Sequence, residues 1–311
     1  MKTLIIGGSG FVGPHLIKRV LKDFGGEVVA TSKSGKKGYK KLNILDRSRI
    51  RDILLTVQPD LIFYLAAQSS VRNSWSDPCY TATVNIEGSM ILLEELKAIK
   101  RKTRLLMVGS SEEYGFIQPN QEERVKETHV TRPCNFYGVT KVCQNLMANF
   151  YSASLSSTIL STRTFNHFGP GQSPDFVISS FCKQIAEIEL AGKDNVIRVG
   201  NLDAVRDFTD VRDVVKAYTR LILFGKKGET YNVGSGVSRK ISEILSILIS
   251  LSQVPIEVEV DPLLFRPIDF KSPTADISKL KLATGWSPRI SLEESLLDTL
   301  NYWRREVGLQ R

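Results

Sequence analysis

The 311-residue sequence predicts an α/β fold: a doubly wound parallel sheet carrying a smaller carboxy-terminal lobe. Three observations predict it. Short apolar strands alternate with amphipathic helices through the first half, a glycine-rich turn follows the first strand, and the rhythm changes after about residue 165. Parallel neighbours need crossover connections, and crossover helices cover both faces of the sheet.

Strands are expected at 3–6, 28–31, 61–65, 105–108 and 158–162, with helices at 11–21, 48–56, 81–99 and 137–154. Each strand is a run of apolar, mostly branched residues; each helix repeats its apolar positions every three or four residues. Residues 166–175 hold three glycines or prolines in a row and read as a long loop. A helix at 176–190 follows, then a short return to the αβ pattern at 211–223 and 231–233. The tail predicts a helix at 241–252, a strand at 256–260, a proline-rich stretch at 261–273 and a last helix at 292–305. These late pieces are expected to pack over the carboxyl edge of the sheet, where open α/β sheets take their ligands. The expected division is residues 1–165 with about 206–235 as the sheet domain, and about 166–205 with 236–311 as the ligand-binding lobe.

Bulk composition narrows the function classes. Hydrophobic residues make up 42% and charged residues 24%, which suits a folded globular chain and not a disordered one. Cys79, Cys134, Cys143 and Cys182 form no CxxC pair, so neither a disulfide framework nor a zinc site is expected. His15, His129 and His167 show no ligand spacing, and no metal is expected. The first apolar run is too short for a signal peptide and no run is long enough for a membrane span, so a cytoplasmic protein is expected. The net charge of +9 is scattered apart from a cluster at 33–41, and no nucleic-acid reading module is present. Anionic small molecules explain the charge better than nucleic acid.

The first strand runs into Gly7-Gly8-Ser9-Gly10-Phe11-Val12-Gly13. Glycine is required here to turn sharply, to let main-chain N–H groups approach a pyrophosphate, and to seat the helix on the strand. The position between strand and helix marks a Rossmann-type dinucleotide site. NAD sites usually carry an acidic residue at the end of the second strand, against the ribose 2′-hydroxyl. This chain has Thr31-Ser32-Lys33 there, so Ser32 and Lys33 suit a 2′-phosphate and favour NADP, with NAD as the alternative.

Tyr137 and Lys141 are four apart at the start of a predicted helix and share one face. An ammonium beside a phenol is expected to lower its pKa from about 10, so that it can trade protons with a carbonyl near neutral pH. The strand at 105–108 leads into Gly109-Ser110-Ser111-Glu112-Glu113-Tyr114-Gly115, which sets hydroxyls where a reacting oxygen would lie.

The glycine turn, these serines and the tyrosine–lysine pair, in this order, resemble the extended short-chain dehydrogenase/reductase family over nearly the whole chain. Nucleotide-sugar epimerases, dehydratases and reductases belong to it. The resemblance implies that Gly7, Ser9, Gly10, Phe11, Val12 and Gly13 hold the cofactor. It further implies that Asn43 and Ile44 frame adenine, that Leu65, Ala66 and Ala67 let the cofactor lie close, and that Lys141 anchors its ribose. Ser110, Tyr137, Lys141 and Glu112 are implied as catalytic. Further matches are Asn85, Arg163-Thr164-Phe165-Asn166, Arg206-Asp207-Phe208-Thr209-Asp210-Val211, Tyr231-Asn232-Val233-Gly234 and Arg266-Pro267.

Within the family, residues 169–177 and 183–189 look most like the branch that reduces GDP-4-keto-6-deoxymannose to GDP-D-rhamnose. That resemblance implies a GDP-sugar substrate contacted by Ser110, Ser111, Asn166, Val177, Lys183 and Arg206, with Arg266 and Asp269 at its nucleotide end. A plainer reading has Arg206 and Arg266 pairing with Asp207 and Asp269. The rival enzyme is a GDP-mannose 4,6-dehydratase, in which Glu112 would move protons; a 4-epimerase comes third. A catalytically silent NADP-sensing protein is disfavoured, because Tyr137 and Lys141 are both present. His167 is expected either near the nicotinamide or in loop packing, and Cys134 is expected to be a buried apolar residue. The family commonly dimerises through two helices, here 81–99 (Met90, Leu93, Leu96) and 137–154 (Met147, Phe150, Tyr151), and a homodimer is expected.

Overall fold

The structure, a computed structural model, describes residues 1–115, 124–191, 194–265 and 273–309. Seven strands make the central sheet: β1 (Lys2–Ile6), β2 (Glu27–Ser32), β3 (Lys40–Lys41), β4 (Leu61–Tyr64), β5 (Arg104–Ser110), β6 (Thr158–Thr164) and β7 (Thr230–Val233). Their order is β3-β2-β1-β4-β5-β6-β7 and every pair is parallel. The chain winds outward from β1 in one direction and restarts at β4 in the other. A crevice therefore opens beyond the carboxyl ends of β1 and β4.

β4 shows why this sequence makes a covered sheet. All four of its side chains are buried, and they alternate: Ile62 and Tyr64 enter the cluster on one face, Leu61 and Phe63 the cluster on the other. The first face is covered by the helices Arg47–Val57, Gly88–Ile99 and Phe136–Ser154 through Ile50, Leu54, Leu92, Leu93, Leu96 and Tyr151. The second is covered by Val12–Phe24 and Val211–Phe224 through Leu16, Val20, Val214, Tyr218 and Leu221. Each such side chain contributes about 1.5–3 kcal/mol when fully buried. A third apolar cluster joins the helices Val177–Ala191, Ile241–Ser250 and Leu292–Leu309 around Phe168, Phe181, Ile185, Leu245, Leu300 and Trp303.

Three expectations change. The helix expected at 81–99 is broken into Pro78–Ala82, a π-helical turn Thr83–Glu87 and Gly88–Ile99. Gly88 marks the break: a Cβ there would lie 2.7 Å from Ile44 Cδ1, so the helix approaches as closely as a glycine permits. The loop expected from 166 begins only after Phe168. Asn166–Phe168 forms a parallel pair with Phe208–Asp210 in a small three-stranded sheet, so its main-chain groups find partners there. Finally, Leu93, Leu96 and Tyr151 belong to the chain's own core, while Met90 and Phe150 are exposed (44% and 68%) and Met147 packs partly against the core. The short helices Val71–Ser76 and Ser278–Thr284 were not foreseen.

Among the described residues, no helix is long and apolar enough to cross a membrane, and no three His, Cys, Asp or Glu side chains converge as metal ligands. The four cysteines are unbridged, and Cys134, expected to be buried, is half-buried in the segment that leads into the Phe136–Ser154 helix.

Candidate active site

The glycine turn leaves β1 at Gly7, whose φ of 85° lies in the left-handed region. A Cβ at Gly7 would stand 2.7 Å from Ala66 N, so the turn touches the end of β4 where Leu65, Ala66 and Ala67 lie half-buried. A Cβ at Gly13 would overlap the carbonyl of Gly8, which explains glycine at the start of the Val12–Phe24 helix. A Cβ at Gly10 would meet only Gly7 O, at an ordinary 3.6 Å, and Ser9 and Val12 are half-buried. Phe11 offers no side-chain cap and the first helical turn has no acidic residue. The exposed N–H groups and the positive helix end thus fit a pyrophosphate.

At the end of β2, Thr31 Oγ1 accepts from Gly7 N at 3.2 Å, which spends that hydroxyl on bracing the turn. Ser32 is buried and its hydroxyl is 3.1 Å from that of Ser34. Lys33 is exposed and donates to Tyr80 OH at 3.2 Å, its ammonium 5.4 Å from the tyrosine ring centre. Asn43 is exposed, with its side chain accepting from Leu45 N, and Ile44 is buried beneath it.

Ser110 ends β5, and its hydroxyl accepts from Glu112 N at 3.2 Å while Glu113 accepts from Ser110 N at 3.1 Å. This reciprocal capping box fixes the serine at the strand end. Ser111 is buried in the following turn. Asn135 caps the Phe136–Ser154 helix through Gly138 N and also donates to Glu112 Oε2 at 2.7 Å. Tyr137 and Lys141, one turn apart on that helix, are both buried. The Lys141 ammonium donates to Val108 O at 2.9 Å and to Gln144 Oε1 at 2.8 Å, and lies 5.8 Å from the centre of the Tyr137 ring.

The expected lowering of the Tyr137 pKa is reversed. Burial raises it, the hydrogen bond with Ser110 opposes, and Glu112, Glu113 and Tyr218 push it up further. The physical reason is burial, which withholds water from the phenolate. Lys141 is itself pushed down to about 8 by burial, with the charge of Glu113 opposing. Burial also lifts the Glu113 carboxyl to about 7, against the pull of Arg163.

The substrate side is less concentrated. Asn166 is half-buried at the start of its short strand. His167 stacks on Phe11 (5.9 Å between ring centres, 8° between planes), and His15 meets the same ring edge-on at 5.7 Å. His15 Nε2 is 2.9 Å from Pro170 O, so these rings fasten the glycine turn to the 166–175 segment. Burial lowers the pKa of both histidines. Arg206 is half-buried on the strand Val205–Asp210 and donates to Val205 O at 2.8 Å. The neighbouring Asp207 carboxylate instead accepts from Ser235 N, Ser235 Oγ, Gly236 N and Ala275 N. Val177 packs on the third apolar cluster. Lys183 pairs with Glu187 at 3.5 Å and lies over the Trp303 ring. Arg266 and Asp269 lie outside the described residues.

Sequence reasoning passed over Glu113, Asn135, Gln144 and Arg163 as parts of this site. Ser110-x-x-Glu113 is a capping-box spacing, which was the available signal. Asn85, matched only by family likeness, sits in the π-helical turn. Its amide donates to Thr140 Oγ1 and Gln68 O, so it braces the helix between Tyr137 and Lys141.

Comparisons with known proteins agree with this fold. The chain is 31% identical to the GDP-6-deoxy-D-mannose reductase of Pseudomonas aeruginosa, over 98% of each protein. The structure of RMD from Pseudomonas aeruginosa complexed with NADPH superposes with a TM-score of 0.88 at 32% identity, covering 98% of this chain and 100% of the other. UDP-glucose 4-epimerase from Thermotoga maritima, solved with UDP-glucose, gives a TM-score of 0.88 at 27% identity, covering 99% and 100%. A family model described as GDP-mannose 4,6 dehydratase matches residues 4–299. The chain belongs to this GDP-mannose 4,6-dehydratase family, within the extended short-chain dehydrogenases and reductases.

Proposed function

We propose that the chain is an NADPH-dependent 4-ketoreductase that converts GDP-4-keto-6-deoxy-D-mannose to GDP-D-rhamnose, with NADH as a poorer donor. The observation that carries the chemistry is the convergence of Ser110, Tyr137 and Lys141 at the carboxyl end of β5, beside the glycine turn. The likeness to the Pseudomonas aeruginosa reductase over almost its full length supports the choice of substrate.

When bound, NADPH supplies the hydride. The protein's own residues manage the oxygen. Ser110 donates a hydrogen bond to the 4-keto oxygen and fixes its place. Tyr137 gives its proton to the oxygen as negative charge develops there, and Lys141 stabilises the phenolate left behind. A phenol with a high pKa keeps its proton until that charge arrives, which suits an acid more than a base. Gly7, Gly10 and Gly13 admit the pyrophosphate, and Ser32 and Lys33 receive the 2′-phosphate. Asn166, Arg206 and Lys183 face the sugar nucleotide in this reading, and Arg266 and Asp269 hold its base end.

Turnover decides the matter: oxidation of NADPH with the 4-keto sugar, yielding GDP-D-rhamnose, is expected. Conversion of GDP-mannose to a keto sugar without net use of NADPH would instead establish a dehydratase. That second reading draws on Glu112, whose charge reaches Tyr137. In the reductase its carboxylate braces Asn135 at the helix cap. Two copies are proposed to pair through the exposed Met90, Leu146 and Phe150 on the helices Gly88–Ile99 and Phe136–Ser154. The division into a sheet domain and a ligand lobe is part of the same reading.

A further inference from the structure

We infer that Glu113 is a positioning residue of the reaction: a buried carboxylate that anchors Ser110 and keeps the Lys141 ammonium protonated. The inference rests on the assignment of Tyr137 and Lys141 given above.

Glu113 is fully buried directly after β5. One carboxylate oxygen accepts from Ser110 N at 3.1 Å. The other accepts from Arg163 Nε at 3.0 Å and from Asn145 Nδ2 at 3.2 Å. Asn145 is one turn beyond Lys141 on the same helix, and Arg163 is the β6 residue paired with Gly109 of β5. One carboxylate thus ties together the strand end that bears Ser110, the adjoining strand and the helix that bears Tyr137 and Lys141. Room is made for it at Gly109, where a Cβ would stand 2.5 Å from Glu113 Oε1.

A carboxylate in this place is costly unless its charge is used. Arg163 compensates it, and Arg163 is itself held by Glu127 O at 3.0 Å and by the Tyr114 ring at 4.7 Å. Among the described residues, the hydrogen-bond acceptors of Lys141 are neutral, Val108 O and Gln144 Oε1. Glu113 is the anion whose field opposes the loss of its proton. The other titratable groups facing this cluster are Tyr137, Glu112 and Tyr218. The Glu113 carboxyl is pushed up to about 7 and the ammonium down to about 8. Glu113 thus gains its negative charge as the pH rises toward the range in which Lys141 titrates.

The test is the pH profile of kcat in Glu113→Gln, with the cofactor Kd and the melting temperature measured alongside. Loss of the charge should move the alkaline limb down by about one pH unit, which is about a fivefold loss of kcat at pH 8. Most of that activity should return near pH 6.5, and the cofactor Kd should stay within about threefold. A lower melting temperature with an unmoved alkaline limb would reduce Glu113 to a structural role and overturn the inference. Gln144→Glu tests the same mechanism even where Glu113→Gln does not fold. A carboxylate at position 144 should move the limb up by about one unit, and an unmoved limb would count against the inference. Tyr137→Phe separates this failure from failure of the acid assignment. Its inactivity beside an unshifted Glu113→Gln profile removes only the role of Glu113; full activity removes the assignment itself.

Discussion

The roles proposed for Ser110, Tyr137 and Lys141 depend on a few ångströms of geometry, so their predictions belong to single side chains. Tyr137→Phe removes the proton that meets the new alkoxide, and kcat should fall by about 10²–10⁴-fold. A loss of less than about threefold in steady-state turnover would reject the assignment. Lys141 links activity and stability to pH with opposite signs. Its folded pKa of about 8 lies below the roughly 10.4 of an unfolded lysine. Between those values the unfolded chain binds more protons, so stability rises with pH. Over the same range activity falls as the ammonium is lost. Denaturant melts at pH 8 and pH 10 should therefore show wild type gaining on Lys141→Met, and a constant difference would contradict the shift. Lys33→Ala should weaken NADPH relative to NADH by about tenfold, the scale of one charged hydrogen bond; equal effects on both cofactors would exclude a 2′-phosphate contact. Ser110, Tyr137 and Lys141 were legible because a helix places residues four apart on one face and a strand end presents its last side chain. Glu113 was hidden beside Glu112: adjacent side chains in a tight turn diverge, and only the folded turn decides which is buried.

At the scale of elements, the strands were the most legible feature and the breaks the least. β4 is apolar on both faces, and nothing but a covered sheet strand accommodates Leu61–Tyr64. The 81–99 helix read as continuous because its apolar rhythm runs on through the π-helical turn. The break comes from partners distant in sequence, Gln68 and Thr140, which draw in Asn85. Asn85→Ala strips these groups of a buried partner and should cost about 1–3 kcal/mol. Because the turn braces the Tyr137 helix, kcat should fall more than KM rises; a loss of stability with unchanged kcat would detach Asn85 from the site. The Asn166–Phe168 strand escaped notice for a similar reason. Its ladder partner lies 42 residues away (Asn166 to Phe208), and no local pattern announces it.

At the scale of the whole molecule, the doubly wound sheet, the glycine turn and the late helices were readable from order and spacing. What the sequence could not separate was interior from exterior on the two long helices. Leu93 and Phe150 are both apolar at helical spacing, yet one is fully buried and the other 68% exposed. Phe150→Glu with Leu146→Glu should convert a dimer to a monomer by light scattering with little change in melting temperature, and an unchanged mass would refute the proposed pairing. The substrate depends on the assembled crevice more than on any one residue, since reductases, dehydratases and epimerases share the same tyrosine and lysine. The most direct measurement follows the hydride. With NADPH deuterated at nicotinamide C4 on the transferred face and GDP-4-keto-6-deoxymannose as substrate, NMR should find deuterium at C4 of GDP-D-rhamnose, one per NADPH consumed. A product without deuterium at C4, or a GDP-mannose-derived keto sugar formed while the label stays on the cofactor, would contradict a 4-ketoreductase.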